Sequence, residues 1–211
     1  MAVDQTIERL VAALRPVRRR RASCDWLVLA AVFVVELALV VGFAETRPMP
    51  GGMDEPAVMW RFGTLGLIAL GGAAVALSSF DPVRPAARRV RWLVLLAAAC
   101  LLGGLGLDQP EGGGSLAARL DWTHGLQCVA KMVALSLPPL VALGLLMRRG
   151  AAVDPGATAL AAGLAASAWG AFVFVFACPY DDPLYIAVWY GMGCGLVTGA
   201  ARAMLPGLTR W

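Results

Sequence analysis

Two of the five cysteines in the 211-residue chain stand where their thiols could react with each other. Cys128 lies at the start of one apolar stretch and Cys178 at the end of the next, so antiparallel packing would bring these ends within reach. A nearby thiol pair suits oxidation to a disulfide, and thiolates bind soft metal ions. The alternative is that both cysteines only pack, as we expect for Cys100 and Cys194.

Other side chains near these cysteines are candidate accessory metal ligands. His124 precedes Cys128 by four residues and would share its helical face, while Asp181 and Asp182 follow Cys178. Imidazole and thiolates suit soft or borderline metals, although this spacing is not a strong metal motif. In the plainer interpretation, His124 only caps a helix. We expect no resident cofactor, and the identity of any thiophilic ion that binds transiently stays open.

The elements that must position these residues are membrane-spanning helices. Hydrophobic residues make up 59% of the chain and charged residues 15%. Together with a mean hydropathy of +0.71, this excludes a soluble 22.1 kDa domain with one core. Stretches of roughly 20 apolar residues cross the ~30 Å hydrocarbon core of a bilayer. The sequence contains six such stretches: Trp26–Ala44, Ala57–Ser79, Trp92–Leu107, Leu126–Met147, Ala157–Ala177 and Leu184–Leu205. We therefore predict an all-α, polytopic membrane bundle of six transmembrane helices.

The charged residues orient this bundle. Under this assignment fourteen of the 18 basic residues fall on one side, and the opposite loops carry mostly acidic residues. By the positive-inside rule, both termini are cytoplasmic. The predicted organisation is a cytoplasmic segment over residues 1–25, a transmembrane domain over 26–205 and a cytoplasmic tail over 206–211. A signal peptide cleaved after Ala44 is the rival interpretation of the first span, but its apolar region exceeds the roughly 7–15 residues typical of signal peptides.

Glu36, Arg61 and Lys131 are charged residues that fall inside predicted spans. Glu36 lies near the middle of the first span, where insertion scales assign an acid a cost of about 2.5–3.5 kcal/mol. Lys131 and Arg61 lie about one turn inside their spans and could extend toward water. The plainer interpretation pairs Glu36 with one of these cations. A proton or ion path through Glu36 is the functional alternative.

The N-terminal segment predicts a short amphipathic helix on the cytoplasmic side. Its apolar stripe consists of Ile7, Leu10, Val11 and Leu14. A helix of about 12 residues is marginal alone in water, so it needs a surface. That surface is either the lipid bilayer or a groove on a cytoplasmic partner protein.

The sequence also argues against two classes of function. The chain has no motif of a nucleotide-binding, metalloprotease or hydrolase site, so we expect no enzyme. Its net charge of +4 reflects membrane orientation, so we expect no direct nucleic-acid binding.

The order of several short motifs resembles the NrsF family, six-span inner-membrane anti-sigma factors. The motifs are Pro16-Val17-Arg18, Cys128, Pro138-Pro139, Arg148-Arg149-Gly150-Ala151, Cys178-Pro179, Asp182-Pro183 and Trp189-Tyr190. The resemblance implies a bacterial inner-membrane protein that holds an extracytoplasmic-function (ECF) sigma factor inactive, with the N-terminal stripe as the sigma-binding helix. It also implies that Cys128 and Cys178 sense heavy-metal or oxidant stress. Ala177 and Tyr180 depart from the family pattern, which makes His124 a candidate substitute ligand.

The resulting hypothesis is that a metal ion or oxidant links the two thiols and shifts the fourth span against the fifth. This shift would lower the affinity for the sigma factor, and changing its occupancy from 99:1 to 1:99 takes about 5.5 kcal/mol. Two other classes stay open, a small ion- or proton-coupled transporter and a thiol-redox membrane protein. The second would normally carry a C-x-x-C pair, which this sequence lacks.

Overall fold

The computed structural model describes residues 8, 11, 22–43, 56–81, 86–106, 119–178 and 180–208. Its long helices are α1 Ala22–Phe43, α2 Pro56–Ser79, α3 Ala87–Gly106, α4 Trp122–Arg148, α5 Pro155–Phe174 and α6 Pro183–Leu208. A 3₁₀ turn, Val175–Ala177, follows α5 directly. Within the described ranges, six helices are long and apolar enough to cross a membrane. The predicted all-α, six-span architecture is therefore confirmed.

Polar residues outside the apolar stretches set where several helices begin. Asp121 is the N-cap of α4 and accepts a hydrogen bond from the His124 N–H at 3.4 Å. Asp154 caps α5 in the same way, accepting from the Ala157 N–H at 2.8 Å. At α6 the Asp182 carboxylate accepts from the Leu184 N–H at 2.9 Å. These caps explain why α4, α5 and α6 begin before the predicted spans do.

Helix α5 packs in the middle of the bundle because its side chains are small. The most apolar part of its span is 72% buried, more than in any other described span. A Cβ atom on Gly170 would lie 2.3 Å from the Ser136 Oγ of α4, and one on Gly163 would lie 2.9 Å from the Thr198 Cα of α6. Only a hydrogen fits at such distances, so these glycines let the helix backbones approach each other closely.

The two ends of the bundle differ in chemistry. We call one end the arginine face, where α3 begins and α4 and α6 end; it carries Arg88, Arg89, Arg91, Arg148, Arg149 and Arg202. Here the Arg202 Nη1 donates to the Gly156 carbonyl at 3.3 Å, and the Ala151 N–H donates to the Phe80 carbonyl at 3.2 Å. We call the opposite end the cysteine face; it carries Asp121, Cys128, Cys178, Asp181 and Asp182.

Glu36 meets an indole rather than a cation. The Trp169 Nε1 of α5 donates to the Glu36 Oε2 at 3.0 Å, and the Glu36 side chain is buried. Lys131 is exposed, and Arg61 is paired with Asp181 at 2.7 Å. The expected pairing of Glu36 with Lys131 or Arg61 is therefore wrong, because Glu36 faces α5 at a depth where Trp169 supplies the donor.

Most of the predicted N-terminal stripe lies outside the described residues. This holds for Ile7, Leu10 and Leu14. Val11 is described: it is helical and 59% exposed. Glu8, the other described residue of the segment, is also helical and exposed. Both residues agree with the predicted helix, and neither tests what the helix binds.

We expect Gly170→Ala to destabilise the bundle by roughly 1–3 kcal/mol, because its Cβ would overlap Ser136 and force α4 away from α5. Unfolding by SDS in mixed micelles measures this change. Gly199→Ala is the matched control, since a Cβ atom there meets nothing within 4 Å. Equal unfolding free energies for the two variants would contradict the close packing of α4 on α5.

Candidate functional site

The structure brings Cys128 and Cys178 together at the cysteine face. Cys128 lies in the second turn of α4, and Cys178 follows the 3₁₀ turn at the end of α5. The two side chains are only 6% and 8% exposed and belong to one buried cluster. The two cysteines are neighbours in that cluster, and both thiols are free. The proximity inferred from the ends of neighbouring spans is thus present in the fold.

Tyrosines surround the thiol pair. The Tyr185 hydroxyl lies 3.3 Å from the Cys128 Sγ, and the Cys178 thiol donates to the Tyr180 carbonyl at 3.7 Å. Tyr180 stacks on Tyr185 with ring centroids 4.4 Å apart, and Tyr190 is buried beside Cys178. The neighbouring Cys128 side chain and burial both raise the pKa of the Cys178 thiol. Cys178 is therefore a neutral thiol at neutral pH.

A tryptophan of α6 fixes the start of α4 beside this pair. Trp189 is fully buried, and its Nε1 donates to the Leu120 carbonyl at 2.8 Å. Its ring fills the space above Gly125, where a Cβ atom would lie 2.0 Å from the Trp189 Cε2. Trp122 meets the same ring edge-on, with centroids 5.3 Å apart. Sequence reasoning missed these roles of Gly125 and Trp189. The available signals were the Trp189-Tyr190 motif of the resemblance and a glycine one turn before Cys128.

The two predicted acidic ligands are paired with arginines. Asp181 accepts from the Arg61 Nη2 at 2.7 Å, and Asp182 accepts from the Arg119 Nε and Nη2, both at 2.8 Å. The hydrogen bonds from Arg119 outweigh desolvation and lower the pKa of the Asp182 carboxyl. The Arg61 Nη1 also donates to the Tyr180 carbonyl at 3.3 Å. These bonds anchor the segment that follows Cys178 to α2 and to the residues before α4.

His124 is bonded to the cap of its own helix. Its Nδ1 lies 2.7 Å from the Asp121 Oδ2, and the Tyr180 hydroxyl donates to the same oxygen at 3.3 Å. Desolvation favours the neutral acid, but the hydrogen bonds with His124 outweigh it and lower the pKa of Asp121. Among the described residues, no three His, Cys, Asp or Glu side chains are grouped so that they could hold a metal ion. The structure therefore does not bring His124, Asp181 and Asp182 into one ligand set with the thiols.

Fold and site together define a multi-pass helical membrane protein with a buried thiol pair at one end and a basic surface at the other. Its sequence matches the family described as "NrsF: Negative regulator of sigma F" over residues 10–211. The chain belongs to this family, whose role is regulatory. It is similar to the anti-sigma-F factor NrsF of Caulobacter vibrioides (strain NA1000 / CB15N), with 29% identity over 227 residues covering 100% of both chains. No solved structure matches the chain.

Asp182→Asn keeps an acceptor for capping α6 but removes the charge that pairs with Arg119. Folding lowers the pKa of Asp182. The ion pair therefore stabilises the protein fully at pH values above the ordinary carboxyl pKa of about 3.9. This stabilisation is lost as the pH falls through the pKa that Asp182 has in the folded protein. We expect Asp182→Asn to unfold at a lower temperature than wild type at neutral pH, with the difference shrinking in acid. Thermal unfolding in detergent across pH measures this.

Asp182→Ala is the comparison variant because it removes the cap as well as the charge. It should be less stable than Asp182→Asn by about 0.5–2 kcal/mol at every pH, which is the usual effect of losing a cap. A constant difference between Asp182→Asn and wild type down to strongly acidic pH would contradict a role for the ion pair.

Proposed function

We propose that the protein is a membrane anti-sigma factor that holds an ECF sigma factor at its arginine face and releases it when Cys128 and Cys178 react. The observation that carries the proposal is the buried thiol pair where α5 ends and α4 begins, while the other ends of these helices lie at the arginine face. Membership of the family of negative regulators of sigma F supports the regulatory role.

The charge distribution supports the orientation that this function needs. The arginines of the arginine face stand at the ends of α3, α4 and α6, and by the positive-inside rule this end is cytoplasmic in a bacterial inner membrane. The cysteine face then lies on the periplasmic side, an oxidising compartment where external metal ions and oxidants arrive first. The sensing thiols and the sigma-binding surface are thus on opposite sides of the membrane.

The chemistry of the signal requires only the two thiols. With hydrogen peroxide as oxidant, two thiols give one disulfide, and the peroxide is reduced to two waters as it takes up both protons and both electrons. A divalent thiophilic ion instead replaces the two thiol protons and bridges the sulfurs. Burial of both cysteines admits such small reagents more readily than large ones.

Movement at the thiols reaches the arginine face through the contact between α4 and α5. The contact is tight at Gly170 and Ser136, and α4 continues through Pro138 and Pro139. Near the arginine face, Leu143 and Met147 of α4 are packed in one buried cluster with alanines of α5. A cross-link between Cys128 and Cys178 would change the packing of α4 against α5. To invert the fraction of protein with bound sigma factor from 99:1 to 1:99, this change must lower the binding free energy by about 5.5 kcal/mol.

The N-terminal stripe is the proposed sigma-binding element. Glu8 and Val11 are helical and exposed, which supports a helix available to a partner groove. Burying four aliphatic side chains would supply roughly 6–12 kcal/mol before the costs of ordering and association. The arginine face then supplies charged contacts around this apolar anchor.

The full-length protein should bind its cognate ECF sigma factor. A variant that lacks residues 1–16 should not, because the deletion removes the apolar anchor. Pull-down from detergent solution measures this, with replacement of Ile7, Leu10, Val11 and Leu14 by serine as a second variant of unchanged length. The matched control replaces Glu8 with Gln on the same segment and should bind normally. Full binding by the deletion variant would refute the proposed role of the helix.

Cys128→Ser and Cys178→Ser should each block release of a pre-bound sigma factor from proteoliposomes treated with Cd²⁺ or hydrogen peroxide, because one thiol cannot be cross-linked within the chain. We expect release from these variants to stay at the level seen without Cd²⁺ or peroxide, at least about tenfold below that of treated wild type. Cys24→Ser and Cys100→Ser are controls that should release as wild type does. Normal release by both Cys128→Ser and Cys178→Ser would disprove the sensing scheme, while leaving the anti-sigma role to the binding assay.

A further inference from the structure

A cavity of about 390 Å³ lies between α2, α3, α5 and α6, beside the thiol site. Most of its wall is aliphatic and aromatic, with Ile68, Val94, Leu101, Leu164 and Ile186 among the lining residues. Its volume falls in the range of about 300–1,000 Å³ that is typical of ligand pockets. It is too apolar for a polar metabolite, and its size suits a single hydrocarbon chain rather than a whole lipid.

The cavity opens sideways, between α3 and α6. Ala98 and Leu101 of α3 and Gly195 of α6 line it, and all three are exposed on the outer surface of the bundle. The buried residues of α3, Val90 and Leu93, both lie in its first two turns, and the later turns of the helix are half-buried or exposed. In a membrane this opening faces the acyl chains of the bilayer, and the occupant therefore comes from the lipid phase.

A charged pair lines the cavity on the side of the cysteine face. Arg61 and Asp181 both line it, their side chains are 9% and 31% exposed, and they are joined by the 2.7 Å ion pair. The Arg61 Nε is buried and has no acceptor among the described residues. Because Asp181 balances the charge of Arg61, the pair matches a headgroup that carries one charge of each sign, not a net anion.

We infer that this cavity binds one acyl chain of a zwitterionic phospholipid, phosphatidylethanolamine, from the leaflet at the cysteine face. The lipid phosphate accepts from Arg61, and its ammonium group lies against Asp181. Arg61 also holds the Tyr180 carbonyl, so the bound lipid contacts the segment that follows Cys178. The inference rests on the cavity and the ion pair, and it stands independently of the sigma-factor partner.

Native mass spectrometry of the full-length protein tests this inference. The protein is mixed in detergent with equal amounts of three compounds, dioleoylphosphatidylethanolamine, dioleoylphosphatidylglycerol and decylubiquinone, and is then released from the detergent. We expect wild type to retain one phosphatidylethanolamine in preference to the other two. Gly195→Leu should lower this retention about tenfold, because its side chain fills the opening. Gly199→Leu is the matched control: Gly199 lies one turn further along α6, is also exposed and does not line the cavity, so retention should be unchanged.

Two further variants make the test independent of whether Gly195→Leu folds. Ala98→Leu fills the opening from α3 and should also lower retention about tenfold. Asp181→Asn leaves the Arg61 charge unbalanced and should shift the preference toward the anionic phosphatidylglycerol. Equal retention by Gly195→Leu, Ala98→Leu and Gly199→Leu would overturn the cavity as the site. Wild-type preference for phosphatidylglycerol or decylubiquinone would overturn the assignment of the occupant.

Discussion

The close approach of backbones along α5 is the constraint on which the rest of the structure depends. Lipid chains are as apolar as leucine, so helices in a membrane associate through packing and hydrogen bonds rather than by escape from water. Glycines at Gly163 and Gly170 allow α4 and α6 to reach van der Waals contact with α5. Since α5 leads directly into the 3₁₀ turn before Cys178, the same packing that assembles the bundle also places that cysteine against α4.

The sequence predicted the number and positions of the spans because each is a long apolar stretch, and it located Cys128 and Cys178 because neighbouring antiparallel helices share an end. Helix starts were less accurate, since Asp121, Asp154 and Asp182 lie outside the apolar stretches and act through local capping. What could not be predicted depends on how each helix is rotated about its axis. This applies to Trp189 in the space above Gly125, and to the meeting of Glu36 with Trp169.

Charge pairing explains why the cysteine face differs from the expected metal site. A carboxylate at the edge of the hydrocarbon core is stabilised most by a nearby guanidinium, and Arg61 and Arg119 supply one each. Residues that looked like ligands in the sequence thereby hold the loop in place. The two thiols lie apart from these ion pairs, among tyrosine side chains instead.

The contact between Trp189 and Gly125 limits which motions α4 can make. With the indole filling the space above the helix backbone and bonded to the Leu120 carbonyl, rotation of α4 about its own axis would drive backbone atoms into the ring. Tilting about this point, or sliding with α6 as one body, keeps both contacts. For any tilt of α4 about this contact, the displacement would be smallest in its first turns and would grow along the helix toward Arg148.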